Sequence, residues 1–227
     1  MVETPSDQRE LDFTITRTII RIGGYLDLIP PLPETPGGQD IEVLKLFDRP
    51  RKIYIQSLAN TAIKYAEFGI DPTRATEVAL PHIDQLFSDH DKLDAVLSFA
   101  LANHEFGNDT AYLLASATSL AERQRDAIMY AKLGEAQARF GIETTGFEKA
   151  DARLAETMAE RESNPLGLAV TTYTIEEVAL LKLRAGHILS ARQTIDRVPW
   201  SDWREVIMDR LQKAFETSEQ IYAQPAT

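Results

Sequence analysis

The chain contains no cysteine, which excludes disulfides and thiolate metal sites. It is also short of positive charge. Lys and Arg number 24 against 35 Asp and Glu, a formal net charge of -11, and such a surface repels phosphate backbones. A general nucleic-acid partner is therefore not expected. A long apolar run is missing as well. The longest candidate, Thr18 to Leu32, is interrupted by Arg21, Asp27 and two prolines, so no membrane insertion is expected. The opening MVETPSDQRE is polar and lacks the basic-then-apolar pattern of a signal peptide, which makes the cytoplasm the default compartment. Phosphate-binding loops, nucleophile elbows and dinucleotide fingerprints are absent too. Gly23-Gly24 and Gly37-Gly38 have no strand–glycine–helix context.

What the 227 residues do contain is apolar material, 44% of the total, arranged at helical spacing. Residues 1–40 read as an extension. Phe13, Ile15 and Arg17 alternate with threonines as in a strand, whereas Ile19, Ile20 and Ile22 break that alternation and fit a short helix equally well. Pro30–Gly38, PPLPETPGG, reads as an extended linker. The apolar stretch before it is a candidate to fold back over the first helical unit or its groove. Residues 41–222 read as one all-helical domain, and 223–227 as a disordered tail.

Inside that domain the spacing predicts a helix from near Pro50 to Gly69 and a second from Asp71-Pro72 to about Phe87, with Pro81 as a kink or break. A third starts at a Ser88 or Asp89 cap and ends at Gly107. A fourth spans Thr110–Ala121, a fifth Glu122–Phe140 and a sixth Phe147–Arg161. Ser163–Thr172 reads as a loop. Helices through Ile175–Leu183, Ile188–Val198 and Asp202–Tyr222 follow, the last carrying Val206, Ile207, Leu211 and Phe215 on one face.

One pattern recurs four times: an apolar residue, a second three further on (Thr61 in one copy), then a small residue, then glycine seven later. It is carried by Leu58, Thr61, Ala62 and Gly69; by Val96, Phe99, Ala100 and Gly107; by Tyr130, Leu133, Gly134 and Gly141; and by Ile175, Val178, Ala179 and Gly186. An interval of roughly 34 residues accommodates two helices of three to four turns with short connections. The small residue then marks a close helix crossing, and the glycine a left-handed helix end. A larger residue at Gly134 is expected to overpack the crossing by roughly 1–3 kcal/mol. Arg125–Met129, RDAIM, is echoed by Arg204–Met208, REVIM, so the last helix reads as the first half of a further unit that caps the stack.

These units resemble tetratricopeptide repeats. Leu133-Gly134 and Gly141 match the first helix of that family, with Tyr130 in its tryptophan-like place, and Ala191 and Ile195 fit its second helix. Ala75, Ala111 and Ala150 depart from the family's spacing, and its repeat-ending proline is not regular here. The resemblance covers about Pro50–Phe215. It implies an α-α superhelix of about four helical hairpins plus a C-terminal capping helix, with first helices lining a groove. By register that groove takes Gln56, Ala59, Ile63, Ala66 and Glu67, then Asp94, Leu97, Leu101, His104 and Glu105. Ile128, Ala131, Glu135, Ala138 and Arg139 follow, then Tyr173, Glu176, Leu180, Leu183 and Arg184.

Among these, Leu97, Leu101, His104, Glu135, Arg139, Leu180 and Arg184 are the partner-binding candidates, with packed core as the competing role for the leucines. Arg139 and Arg184 alone fall short of the basic clamp of chaperone-binding members. A protein or peptide partner is thus expected, no catalysis, no cofactor and no metal, since His82, Asp84, His90 and Asp91 lack the spacing of two ligands on one helical face. The alternatives are a sensor that takes a peptide or small ligand, and an all-helical enzyme with an unfamiliar site. Trp200 and Trp203 read as the seal of the stack's end or as a docking patch. The oligomeric state is not specified by sequence.

Overall fold

The computed structural model describes residues 41–161, 165–198 and 204–213. The strand-or-helix stretch before Ile29, the proline linker, both tryptophans, Phe215 and the tail lie outside the described residues. All the regular structure described is helical: α1 (Ile41–Glu67), α2 (Thr73–Asp84), α3 (Asp89–Phe106), α4 (Ala111–Gln124), α5 (Ala127–Arg139), α6 (Thr145–Arg161), α7 (Pro165–Arg184), α8 (Ile188–Ile195) and α9, residues 204–213. Among the described residues no helix is long and apolar enough to cross a membrane. The chain divides into two compact units, Met1–Thr110 and Ala111–Thr227, each treated by itself below. The division falls between the third and fourth helices, which sequence spacing groups as one hairpin.

In the first unit α1, α2 and α3 all pack on one another. Leu58 and Ala62 of α1, Ala75, Ala79 and Ile83 of α2, and Leu93, Val96, Phe99 and Ala100 of α3 fill the interior. Helix α1 begins well before Pro50, which the sequence reading placed at its start. Pro50 and Pro81 both lie on exposed flanks of their helices, where water can take the carbonyl that proline leaves without a donor, so neither ends its helix. Helix α2 stops at Asp84 rather than Phe87: Arg51 donates to the Gln85 carbonyl (3.0 Å), and the Phe87 amide donates to Asp48 (2.9 Å), drawing the chain out of helical conformation. The connections are tied by polar side chains. Asp71 accepts from the amide and hydroxyl of Thr73 and from Asn108 Nδ2 (2.9 Å), contacts that hold its carboxyl below the usual range. Asn103, buried, donates to Thr76 Oγ1 (2.8 Å) and to the Phe99 carbonyl. Ser88 caps α3, accepting from the Asp91 amide.

In the second unit α4 packs on α5, α5 on α6 and α7, α6 on α7, and α7 on α8. Its interior is built from Leu113 and Ala117, Met129 and Leu133, Phe147 and Leu154, Ile175 and Val178, Ala191 and Ile195. The α4–α5 boundary lies at Arg125-Asp126, four residues later than sequence spacing suggested. Arg125 takes a left-handed φ of 48°, and Asp126 accepts hydrogen bonds from the Ile128 and Met129 amides as the cap of α5. A larger correction concerns Ser163–Thr172, read as a loop. Residues from Pro165 onward are helical: proline stands at the first position of α7, where its missing N–H costs nothing. Helix α8 is also shorter than expected, ending at Ile195.

The four pattern glycines, Gly69, Gly107, Gly141 and Gly186, all have positive φ, between 67° and 93°. Each ends a turn in which the next amide reaches back five residues, as from Ile70 to Tyr65 and from His187 to Lys182. The four small residues, Ala62, Ala100, Gly134 and Ala179, are all buried. At Gly134 the reason is visible. A Cβ there would lie 2.7 Å from the Phe147 ring and 2.8 Å from its backbone nitrogen, and one on Gly146 would lie 2.5 Å from both Gly134 N and the Tyr130 carbonyl oxygen. Two glycines let the backbones of α5 and α6 touch. Tyr130, beside this crossing, donates to Glu122 of α4 (2.9 Å), and Lys149 of α6 pairs with the same carboxylate.

The echo between RDAIM and REVIM does not extend to burial. In α9 Ile207 and Leu211 are buried and Val206 is exposed, whereas the aligned α5 buries Ala127 and Met129 and leaves Ile128 half-exposed.

Candidate partner-binding surface

Helices α1, α3, α5 and α7 are the first helices of the repeating pattern, and within each unit the two present lie in direct contact, α1 with α3 and α5 with α7. Their shared face starts from charge. In the first unit Lys52 of α1 pairs with Asp91 of α3, which raises the lysine's pKa through that hydrogen bond. Beside this pair is a hollow of about 70 Å³ lined by Ile55, Gln56, Leu86, Asp94 and Ala95, well below the roughly 300–1,000 Å³ of small-molecule pockets.

In the second unit Glu135 of α5 is buried at 7% exposure and accepts three charged hydrogen bonds. Arg184 of α7 grips it with two, at 3.0 and 2.9 Å, and Arg139 gives a third at 2.9 Å. A planar guanidinium meeting a carboxylate in this two-pronged way is among the stronger polar contacts available. It raises the pKa of Arg184, with Glu135 as the main cause and the nearby charge of Glu177 adding to it. Glu176 of α7 likewise pairs with Arg210 of α9 at 3.2 Å. Ion pairs thus join α1 to α3 in the first unit, and α5 to α7 and α7 to α9 in the second.

Three of the seven candidates, Glu135, Arg139 and Arg184, are therefore brought together, each engaged with another. Leu180 is half-buried on the same face of α7. Leu97 and Leu101, half-buried, and His104, exposed, belong to the first unit. Ala59 and Ala131, assigned to the groove by register, are buried between helices instead. Among the described side chains of α7, Val170 and Tyr173 are the exposed large apolar ones.

Comparison with known proteins returned no match to a family model, to a curated protein or to a solved structure.

Among the described residues no group of three or more His, Asp or Glu side chains could hold a metal ion. His82 is half-buried within α2 with its ring edge-on to Tyr54 at 5.1 Å. Burial and the Arg51 charge push its pKa down. Sequence reading missed one ionic centre altogether. Lys182 is fully buried; its ammonium donates to Asp151 of α6 (2.7 Å) and Thr194 of α8 (2.8 Å), while Arg197 donates to the Asp151 carbonyl and lies 3.4 Å from its carboxylate. Burial lowers the lysine's pKa, and Asp151 opposes that shift. The available signal was positional: Lys182 falls one turn after Val178, inside the apolar run ALLKL. Lys182 and Thr194 are both closed to solvent, and this centre joins three helices.

Proposed function

We propose that this protein is a non-catalytic scaffold of the cytoplasm whose helical hairpins stack in the manner of tetratricopeptide repeats and whose first helices offer a surface to a peptide or helical segment of a partner protein. The observation that carries this reading is the direct packing of α5 on α7, with α6 against both. Helices two apart in sequence lying side by side are what a stack of hairpins requires. Buried small residues at a constant offset and four left-handed glycines support the same arrangement. In the second unit ion pairs fix α5 against α7 and α7 against α9, so a partner would meet a preformed face there and bind with little ordering cost.

The test is selection from a display library of random peptides on the full-length protein, with retained sequences re-measured by fluorescence anisotropy. A scaffold retains sequences that compete with one another and whose binding falls in variants of the α5–α7 face. Retention of none, or binding indifferent to substitutions on that face, refutes the reading.

A further inference from the structure

We propose that the α1–α3 face of the first unit is covered by the chain's own N-terminal segment, residues 11–29, with Arg17 and Arg21 set against Asp91 and Asp94. The proposal stands apart from the scaffold reading. The hollow of about 70 Å³ on this face has room for the end of one side chain. Its lining carries two carboxylates, Asp91 and Asp94, and one ammonium, Lys52, which is bonded to Asp91. Asp94 is exposed, and both it and Asp48 add their negative charge at Lys52. Of the other cations in these turns, buried Arg51 donates to the Gln85 carbonyl, and Lys92 pairs with Asp89. Phe87, next in the chain to the lining Leu86, is 57% exposed, its amide held by Asp48. An acidic hollow thus lies beside an exposed aromatic ring.

Charge and chain length select the occupant. Residues 41–110 hold eleven Asp and Glu against seven Lys and Arg, so a second copy would bring like charge to this face. Residues 13–22, FTITRTIIRI, hold two arginines, no acidic residue and five large apolar side chains. Arg17 and Arg21 are four positions apart, which puts them on one side of either a helix or a strand. Along α1 the hollow at Lys52 and Gln56 lies about 17–23 Å from Ile41. Nineteen residues separate Arg21 from Ile41 and span about 60 Å when extended, so the arginines reach the hollow with length to spare. Covalent attachment gives the segment a local concentration on the order of mM, ahead of a free basic segment from another protein. A partner that used α1 and α3 would first have to displace it.

The full-length chain has no cysteine, so introduced pairs can be cross-linked cleanly. Thr16→Cys is combined with Gln56→Cys at the hollow, or with Glu77→Cys, exposed on α2 and outside the hollow's lining. A short bismaleimide is added and link formation is followed by mass spectrometry. The 16–56 link is expected within one molecule and about tenfold or more faster than the 16–77 link, because a docked segment concentrates one end at one site. Arg17→Glu with Arg21→Glu should slow the 16–56 link about fivefold or more, since two attractions become two repulsions. Adding Asp94→Arg to that variant should recover most of the rate. Circular dichroism checks that the helices persist; if Asp94→Arg loses them, Asp94→Asn in the parent pair replaces it and is expected to slow the link. Equal rates at positions 56 and 77 overturn the proposal, as does a rate indifferent to the arginine or Asp94 changes. A 16–56 link that joins two molecules also overturns it and assigns the face to a second copy.

Discussion

Substituting Gly146 by alanine tests the closest approach in the second unit. The added Cβ would sit 2.5 Å from Gly134 N, 2.5 Å from the Tyr130 carbonyl oxygen and 2.9 Å from Gly134 Cα. All three are backbone atoms of α5, so no side-chain rotation relieves the overlap and the two helices must separate. Overpacking of this kind costs roughly 1–3 kcal/mol. For a chain of this length that corresponds to a fall in Tm of about 2–12 °C. Gly134→Ala meets the Phe147 ring at 2.7 Å and the Phe147 nitrogen at 2.8 Å, but it also removes a glycine from a helix interior, which returns about 1 kcal/mol. Its net cost is therefore smaller, about 0–2 kcal/mol. Both changes widen the same crossing, so the double variant should lose less than the two costs together, by about 0.5 kcal/mol or more. Urea denaturation of the four proteins measures the cycle. Gly146→Ala within about 0.5 kcal/mol of the parent, or strictly additive costs, would refute the backbone contact as the reason for glycine at both positions.

Asp151→Asn removes the one carboxylate that, among the described residues, is hydrogen-bonded to the fully buried Lys182 ammonium. The loss on breaking such a pair is about 3–5 kcal/mol, and the 29% exposure of Asp151 places it at the lower end; Lys182→Met, which removes the charge itself, should cost far less, and comparison by chemical denaturation checks the order. Because burial lowers the pKa of Lys182, the unfolded chain binds the proton more readily, so this residue's contribution to stability rises with pH up to the unfolded value of 10.5; a Lys182→Met variant should lack that rise when stability is measured across the alkaline range. His82 behaves with the same sign at lower pH. Its folded pKa is depressed below 6.5, so its contribution is fully present above 6.5 and is lost as pH falls toward the folded value. His82→Gln should remove that component from denaturation curves taken between neutral and mildly acidic pH, and an unchanged acid slope would count against it.

The helix ends marked by glycine were legible because a left-handed residue after an apolar repeat has a direct sequence signature, and Gly69, Gly107, Gly141 and Gly186 all follow it. Ala62, Ala100 and Ala179 were legible as buried positions for a similar reason: a small residue in line with larger apolar ones. Boundaries set by other devices were less so. Arg125 adopts a left-handed φ that nothing in its own chemistry requires, and Pro165 starts a helix where proline and glycine together resemble a loop. The candidate site was legible as a set of positions but not as a state of charge. Arg139 lies four residues after Glu135 on the same helix, a spacing that sequence shows, but the Arg184–Glu135 hydrogen bonds join residues 49 apart on different helices, and spacing along one helix carries no information about that contact.

Among the described residues, the substantial packing of each helix reaches no further than the second helix along the chain. Such an arrangement closes only short loops on the way to the native state, and chains of this kind fold quickly, typically in microseconds to milliseconds. It also sets an order of events during synthesis. The contacts of α1 with α2 and α3 are complete once Phe106 has cleared the ribosome, so the first three helices can bury their apolar faces while the remainder is still being translated, and little sticky surface waits for a distant partner.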